Sequence, residues 1–229
     1  MSADTQTPPG LVIFDCDGVL VNTEERANRV LAEWFCAAGH EVTYEYCRRV
    51  YSGRSMKSVQ EEIEAGDYRL GFDLTERWYG SLQEIFGAGV DAIPHIEHVV
   101  DTLRARDVPW CVTSSARIEK MHLTLGSTGL LPHFGHALYS STMVKRGKPF
   151  PDLFLHAAHE MGFEPSDCVV IEDSVPGTQA GVAAGMRVFS YHADPMSDRD
   201  ALVAAGGLPF DDMRELPSLI FGQPVLKQA

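Results

Sequence analysis

Four stretches of the chain are apolar with little alternation and end at polar residues: Leu11–Cys16, Val108–Ser115, Cys168–Ser174 and Met186–Tyr191. Short unbroken apolar runs of this kind predict strands buried on both faces of a parallel sheet. Between the later runs, apolar positions recur at helical spacing over 94–106, 117–129, 151–162 and 175–185. Strands alternating with helices imply βαβ units. The segment 22–92, between the first and second runs, has no strong strand signal. It shows four helical patterns, near 23–38, 43–50, 55–65 and 75–86. The reading is a discontinuous α/β domain with a small helical domain inserted after its first strand. Near the carboxyl end, "ALVAAGG" and "MRELPSLI" predict two short helices that close the α/β domain.

Composition narrows the partners. The 229 residues are 45% hydrophobic and 22% charged, ordinary for a globular protein, with a formal net charge of −13. That balance argues against a nucleic-acid surface or an anionic membrane as partner. A small anionic substrate stays compatible, because a bound cation can reverse the local field. Cys16, Cys36, Cys47, Cys111 and Cys168 have no paired spacing and read as reduced thiols of a cytoplasmic protein. The start "MSADTQTPPG" has neither a basic nor an apolar region and does not read as a signal peptide. No window is long enough for a membrane span.

The chemistry gathers where the apolar runs end. Asp15 and Asp17, one residue apart, can start on the same side of the first strand, and Gly18 lets the chain turn sharply after them. Ligands of open α/β sheets bind outside the carboxyl ends of the strands. The second run ends in Thr113, Ser114 and Ser115, whose hydroxyls and amides can hold an anion. The third ends in Glu172 and Asp173. Two carboxylate pairs at neighbouring strand ends repel one another unless a cation stands between them, and hard oxygen donors suit Mg2+. Lys148, set before Pro149 and Pro151, can neutralise a nucleophilic aspartate and a transferring phosphoryl group together. Lys145 and Arg146 read as solvated surface charges. His156 and His159 lie at i,i+3 with no third ligand, so a helix surface is preferred to a metal site. Trp34, Phe35, Trp78 and Tyr79 read as the core of the insert, and Cys16 as a buried thiol.

In this order "DCDGVLVNTE", the Ser114 strand end, "GKPFPDLF" and "VVIEDSVPG" resemble the haloacid dehalogenase superfamily of phosphotransferases. The insert resembles the helical cap of the subgroup that holds β-phosphoglucomutase and many sugar-phosphate phosphatases. The resemblance implies an α/β fold: a Rossmann-like three-layer parallel-sheet core domain, 10–22 and 93–229, with an inserted small α-helical cap domain, 23–92. It implies Asp15 as nucleophile through an aspartyl-phosphate and Asp17 as general acid, then base. It implies Mg2+ held by Asp15, the Asp17 backbone carbonyl and Asp173, with Glu172 as a direct or outer ligand. Ser114 would bind a phosphoryl oxygen and Lys148 would stabilise its charge. In the cap, "VYSGRSMKSVQ" offers Gly53 for a turn, Ser55 as a helix cap, and Arg54 for substrate; Lys57 reads as a helix-surface charge. With Ser114, Ser115 and Lys148, Gly53 and Arg54 make up the expected substrate-binding set.

Two departures from the subgroup's pattern matter. Asn22 stands where many relatives have aspartate, and is expected to cap the first cap helix. Ala27 stands where β-phosphoglucomutase has a histidine, which favours a phosphatase over a phosphosugar mutase. A receiver-like phosphoacceptor domain would lack the insert and would not need Asp17. A haloacid dehalogenase would not need the Glu172–Asp173 pair. The expected partner is a small phosphorylated metabolite, most simply a sugar phosphate or sugar-acid phosphate, and the expected state a monomer.

Overall fold

The computed structural model describes residues 8–66, 68–134 and 137–222. Most of the polar amino terminus judged above not to be a signal peptide, residues 1–7, lies outside them. Six strands form the central sheet: β1 (Leu11–Asp15), β4 (Trp110–Ser114), β5 (Leu138–Ser140), β6 (Cys168–Glu172), β7 (Arg187–Tyr191) and β8 (Leu208–Phe210). They are all parallel, in the order β5-β4-β1-β6-β7-β8. β1 therefore lies between the two other strands whose ends carry candidate chemistry. Its register puts Asp15 beside Thr113 and Phe14 beside Ile171.

Alternation along β1 feeds both faces of the sheet. Val12 and Phe14 join a core with α6 (Ile96–Ala105), α7 (Ile118–Ser127), α8 (Leu131–Phe134) and α12 (Leu216–Phe221). Leu11 and Ile13 face α9 (Asp152–Met161) and α10 (Val175–Ala183). α11 (Arg199–Ala204) precedes β8. Two strands escape the hydrophobic pattern. β5 is only three residues long, and β8 carries Pro209, which is tolerated because this strand is a sheet edge.

The insert is tethered by a two-stranded antiparallel ribbon, β2 (Val21–Asn22) paired with β3 (Asp91–Ala92). Between them lie α1 (Glu24–Ala37), α2 (Tyr44–Tyr51), α3 (Met56–Ala65), α4 (Leu74–Gly80) and α5 (Leu82–Phe86). They enclose their own apolar cluster around Phe35, Leu74 and Trp78, with Trp34 and Tyr79 packed at its margin. The single helix expected over 75–86 is two: Ser81 closes α4 onto Arg77 and Trp78 and starts α5, directly after Gly80. Ser55 does cap α3, accepting from Ser58 N at 3.2 Å. Asn22 does not cap α1. It sits in β2, and Thr23 occupies the cap position with its hydroxyl turned elsewhere. Among the described residues no helix is long and apolar enough to cross a membrane.

Phe35 is fully buried and meets the edge of Tyr51 at 5.6 Å between ring centres. Phe35→Ala is expected to remove about 3–5 kcal/mol from the stability of the insert, read as an earlier denaturant transition of the cap tryptophans; an unchanged midpoint would contradict this packing.

Candidate active site

β1 ends at a carboxylate because the sheet ends there. Asp15 is the last residue of the strand and only 6% exposed, and Gly18, at φ 82°, carries the turn that follows. Asp15 accepts from the Nζ of Lys148. The same ammonium is held from behind by Glu172 Oε1. The other oxygen of Glu172 accepts from the amides of Asp173 and Ser174, at 2.8 and 2.7 Å, and from the Ser174 hydroxyl at 2.9 Å. Both oxygens of Glu172 are thus engaged, so its place is behind Lys148 rather than open to a ligand. Ser174 also caps α10 through Gly177 N. Gly177 has no room for a side chain: a Cβ there would overlap the Glu172 carboxylate.

Asp17 has a separate set of partners. Its Oδ1 accepts from the Thr23 hydroxyl at 2.5 Å and from the Nζ of Lys120. Lys120 is 5% exposed, in the first turn of α7, with its ammonium 5.1 Å from the centre of the Phe86 ring. Sequence reasoning missed this lysine and Thr23. The signal for Lys120 was its phase, because it shares the buried stripe of α7 with Met121, Thr124 and Leu125.

The two carboxyls, Asp15 buried and Asp17 half-buried, are shifted in opposite directions. Burial raises Asp15, Lys148 opposes it, and Glu172 and Asp17 add to it, leaving Asp15 well above the usual carboxylate range. Burial also works to raise Asp17, but Lys120 and Thr23 outweigh it and hold the group low. Asp173 is raised by burial, then by Glu172, Glu24 and Asp15. It packs against the Gly18 backbone, where a Cβ would overlap it.

Ser114 is buried at the end of β4 and its Oγ accepts from Ala116 N at 3.0 Å, which leaves its proton to donate. Asp15, Asp17, Ser114, Ser115, Gly53, Arg54 and Lys120 line one cavity of about 60 Å³ between sheet and insert. Lys148 and Glu172 stand behind Asp15. Asp173 faces a second cavity of about 490 Å³ that Glu24, Arg48 and Asp194 also line. Arg54 is bonded to Glu62 and to Ser58 O. Lys57 and Lys145 are exposed, and Arg146 pairs with Asp152.

The insert is seated on the core by polar contacts. The Ser115 hydroxyl donates to Gly53 O at 2.9 Å, and Arg117 N donates to the Tyr79 hydroxyl at 2.9 Å. Arg48, in α2, bonds Asp194 at 2.5 Å and Glu24 at 2.9 Å. Gly53, at φ 74°, lies against Ser174 with no space for a Cβ. The cavity between cap and core is far smaller than the roughly 300–1,000 Å³ of ligand sites.

Among the described residues no three His, Cys, Asp or Glu side chains are grouped as a metal site. A divalent cation nonetheless fits the charge. Asp15, buried, and Asp173, half-buried, are crowded all-oxygen donors whose negative charges disfavour one another.

Residues 9–185 match the haloacid dehalogenase-like hydrolase family. The 6-phosphogluconate phosphatase of Escherichia coli (strain K12) is 30% identical over 210 residues, 91% of this chain and 93% of that protein. Hexitol phosphatase A of the same organism is 26% identical over 181 residues, 79% of this chain and 82% of that one. Among solved structures, a haloacid dehalogenase-like protein of unknown function from Agrobacterium tumefaciens str. C58 superposes with a TM-score of 0.77. It is 31% identical and covers 92% of this chain and 97% of its own. The chain belongs to the haloacid dehalogenase-like hydrolase family, and it is an enzyme of the phosphoric monoester hydrolase class.

Gly177→Ala is expected to push Glu172 off Lys148. Overpacking of this kind costs about 1–3 kcal/mol. The melting temperature should fall and phosphate release should fall with it. Wild-type values in both assays would show that the carboxylate can yield without loss.

Proposed function

We propose that the protein hydrolyses a small phosphorylated metabolite, a sugar phosphate or sugar-acid phosphate, through an aspartyl-phosphate on Asp15. The observation that carries this reading is the pair of carboxylates at the end of β1, Asp15 bonded to Lys148 and Asp17 to Lys120, opening on one cavity with Ser114. A carboxylate oxygen of Asp15 attacks phosphorus while the bond to the leaving oxygen breaks, and Asp17 gives that oxygen a proton. Asp17, now ionised, takes a proton from a water that attacks the same phosphorus. Phosphate leaves and the Asp15 carboxylate is restored. The Ser114 hydroxyl donates to a phosphoryl oxygen, and the Lys148 ammonium faces the charge spread over the group.

The family's hydrolases generally use Mg2+. We assign its holding here to Asp15, the backbone carbonyl of Asp17 and Asp173, with Glu172 acting through Lys148. When bound, the cation neutralises charge on the phosphoryl oxygens. The names of the relatives support a sugar-acid or sugar-alcohol phosphate as substrate. Arg54, in the lining, can exchange Glu62 for a substrate carboxylate or hydroxyl, and Gly53 brings that loop against the core. Ala27 puts only a methyl group into the cavity, which favours the phosphatase over a phosphosugar mutase. We infer that the cap begins and ends at the β2–β3 ribbon, 22/23 and 92/93. The five cysteines are unpaired and four are buried, which suits a cytoplasmic enzyme. We further infer that it acts as a monomer on a metabolite, and not on nucleic acid or a membrane.

Phosphate release from a panel of sugar, sugar-acid and sugar-alcohol phosphates should be chelator-sensitive and confined to a few members. Asp15→Asn should retain less than about 1% of wild-type turnover, a loss of several kcal/mol of barrier, with an unchanged fold. Retention of a tenth would remove Asp15 as nucleophile. Independently of activity, Mg2+ should raise the melting temperature of the wild type progressively with concentration. Asp173→Asn should blunt that rise, and an equal rise in the variant would move the cation elsewhere.

A further inference from the structure

Acidic residues outnumber basic ones by 32 to 19 in this chain, yet one groove reverses the balance. A cavity of about 640 Å³ lies where α2, α3 and the loop between them meet the core segment before α9 and the start of α10. Arg49, Arg54 and Lys57 line its cap wall and Lys145, Arg146 and Lys148 its core wall; among the described residues Glu61 is the one acid in the lining. Lys148 is taken by Asp15 and Glu172. Arg49 and Lys145 are exposed and have no ion pair among the described residues. Lys57 reaches Glu61 only at 3.8 Å, with both side chains exposed. Arg146 pairs with Asp152 at 2.8 Å and stands over the Phe150 ring at 4.5 Å, which fixes it at the groove. Exposed pairs of this kind contribute little, so an arriving anion can displace them.

Walls of like charge repel across a gap unless a counter-ion stands between them. A cleft lined by one sign of charge also concentrates ions of the other sign. The volume is that of a small-molecule site. We propose that this groove is an anion site spanning cap and core, in which Arg49 and Lys57 from the cap and Lys145 and Arg146 from the core hold one small oxyanion. Two sources share that chemistry: the second anionic group of a phosphorylated sugar acid, or a free inorganic anion. The first source rests on the hydrolase reading above; the site itself does not. Elsewhere cap and core attract one another through Arg48 and Asp194. At this groove the anion supplies the attraction that the protein's own charges lack.

The first test reads binding without turnover: the melting temperature as sulfate replaces chloride at constant ionic strength. The proteins are wild type, Arg49→Gln/Lys145→Gln, and Arg29→Gln/Arg199→Gln, which removes two exposed cations outside the groove. Sulfate should raise the wild-type melting temperature in a saturable way. Losing two charges weakens a bound anion about tenfold or more. At the wild type's half-saturating sulfate, Arg49→Gln/Lys145→Gln should therefore show about half of the rise or less, and the control pair should match the wild type. No rise in the wild type, an equal rise in the groove variant, or an equal loss in the control overturns the site. The second test finds the source, from KM and kcat on a sugar-acid phosphate and a sugar-alcohol phosphate. In the groove variant, a KM raised about fivefold or more for the sugar-acid phosphate alone, with kcat unchanged, assigns the site to the substrate. KM values unchanged for both, with sulfate binding weakened, assign it to a free anion. If the wild type releases phosphate from neither, the hydrolase reading falls, while the sulfate result still decides the groove.

Discussion

Carboxylates stay charged inside a protein only when something of opposite sign stands beside them. β1 delivers two such groups to one spot, and much of the core is arranged around that fact. Lys148 reaches Asp15 from the segment before α9, and Lys120 reaches Asp17 from α7. Each ammonium also lies near an aromatic ring, Phe154 for Lys148 and Phe86 for Lys120. Glu172, the amides that hold it and the bare Gly177 form a second tier whose effect is to fix Lys148. The helix α10 approaches the sheet closely because nothing at Gly177 prevents it.

The two aspartates are chemically unequal for a reason visible in the partner counts. Burial raises Asp15, and Lys148, which also bonds Glu172, does not offset it. Lys120 serves Asp17 alone and is joined by a hydroxyl, so Asp17 is held low. The protein's own groups thus set the two tendencies opposite to the proposed roles; a cation held at Asp15 would lower that carboxyl and the negative charge of an arriving phosphate would raise Asp17, the direction each role requires.

Most of this was legible in the sequence where residue type and strand end coincide. Asp15, Ser114 and Glu172 announce themselves because polar groups follow apolar runs, and Lys148 because Pro149 and Pro151 frame it. Lys120 did not, because a lysine on a helix is ordinarily solvated, and only its phase with Met121 and Leu125 betrays its burial. Thr23 was hidden for a related reason. The helix cap was expected one residue earlier, at Asn22, while Thr23 takes the cap position and turns its hydroxyl to Asp17. Arg48 reads as one of two arginines on a short polar helix, and its partner Asp194 lies 146 residues away, beyond any local pattern. β5 and β8 were missed because sheet edges need few residues and little hydrophobicity.

The ties from Arg48 to Asp194, from Ser115 to Gly53 and from Arg117 to Tyr79 join cap and core on the rim of the site. A substrate that enters between cap and core meets the population in which these bonds are broken. Its apparent affinity is its intrinsic affinity scaled by that population. Every 1.4 kcal/mol by which the ties favour closure weakens capture about tenfold. The same ties would slow the escape of inorganic phosphate, so the residues that exclude water from the reaction also set how often it can be repeated.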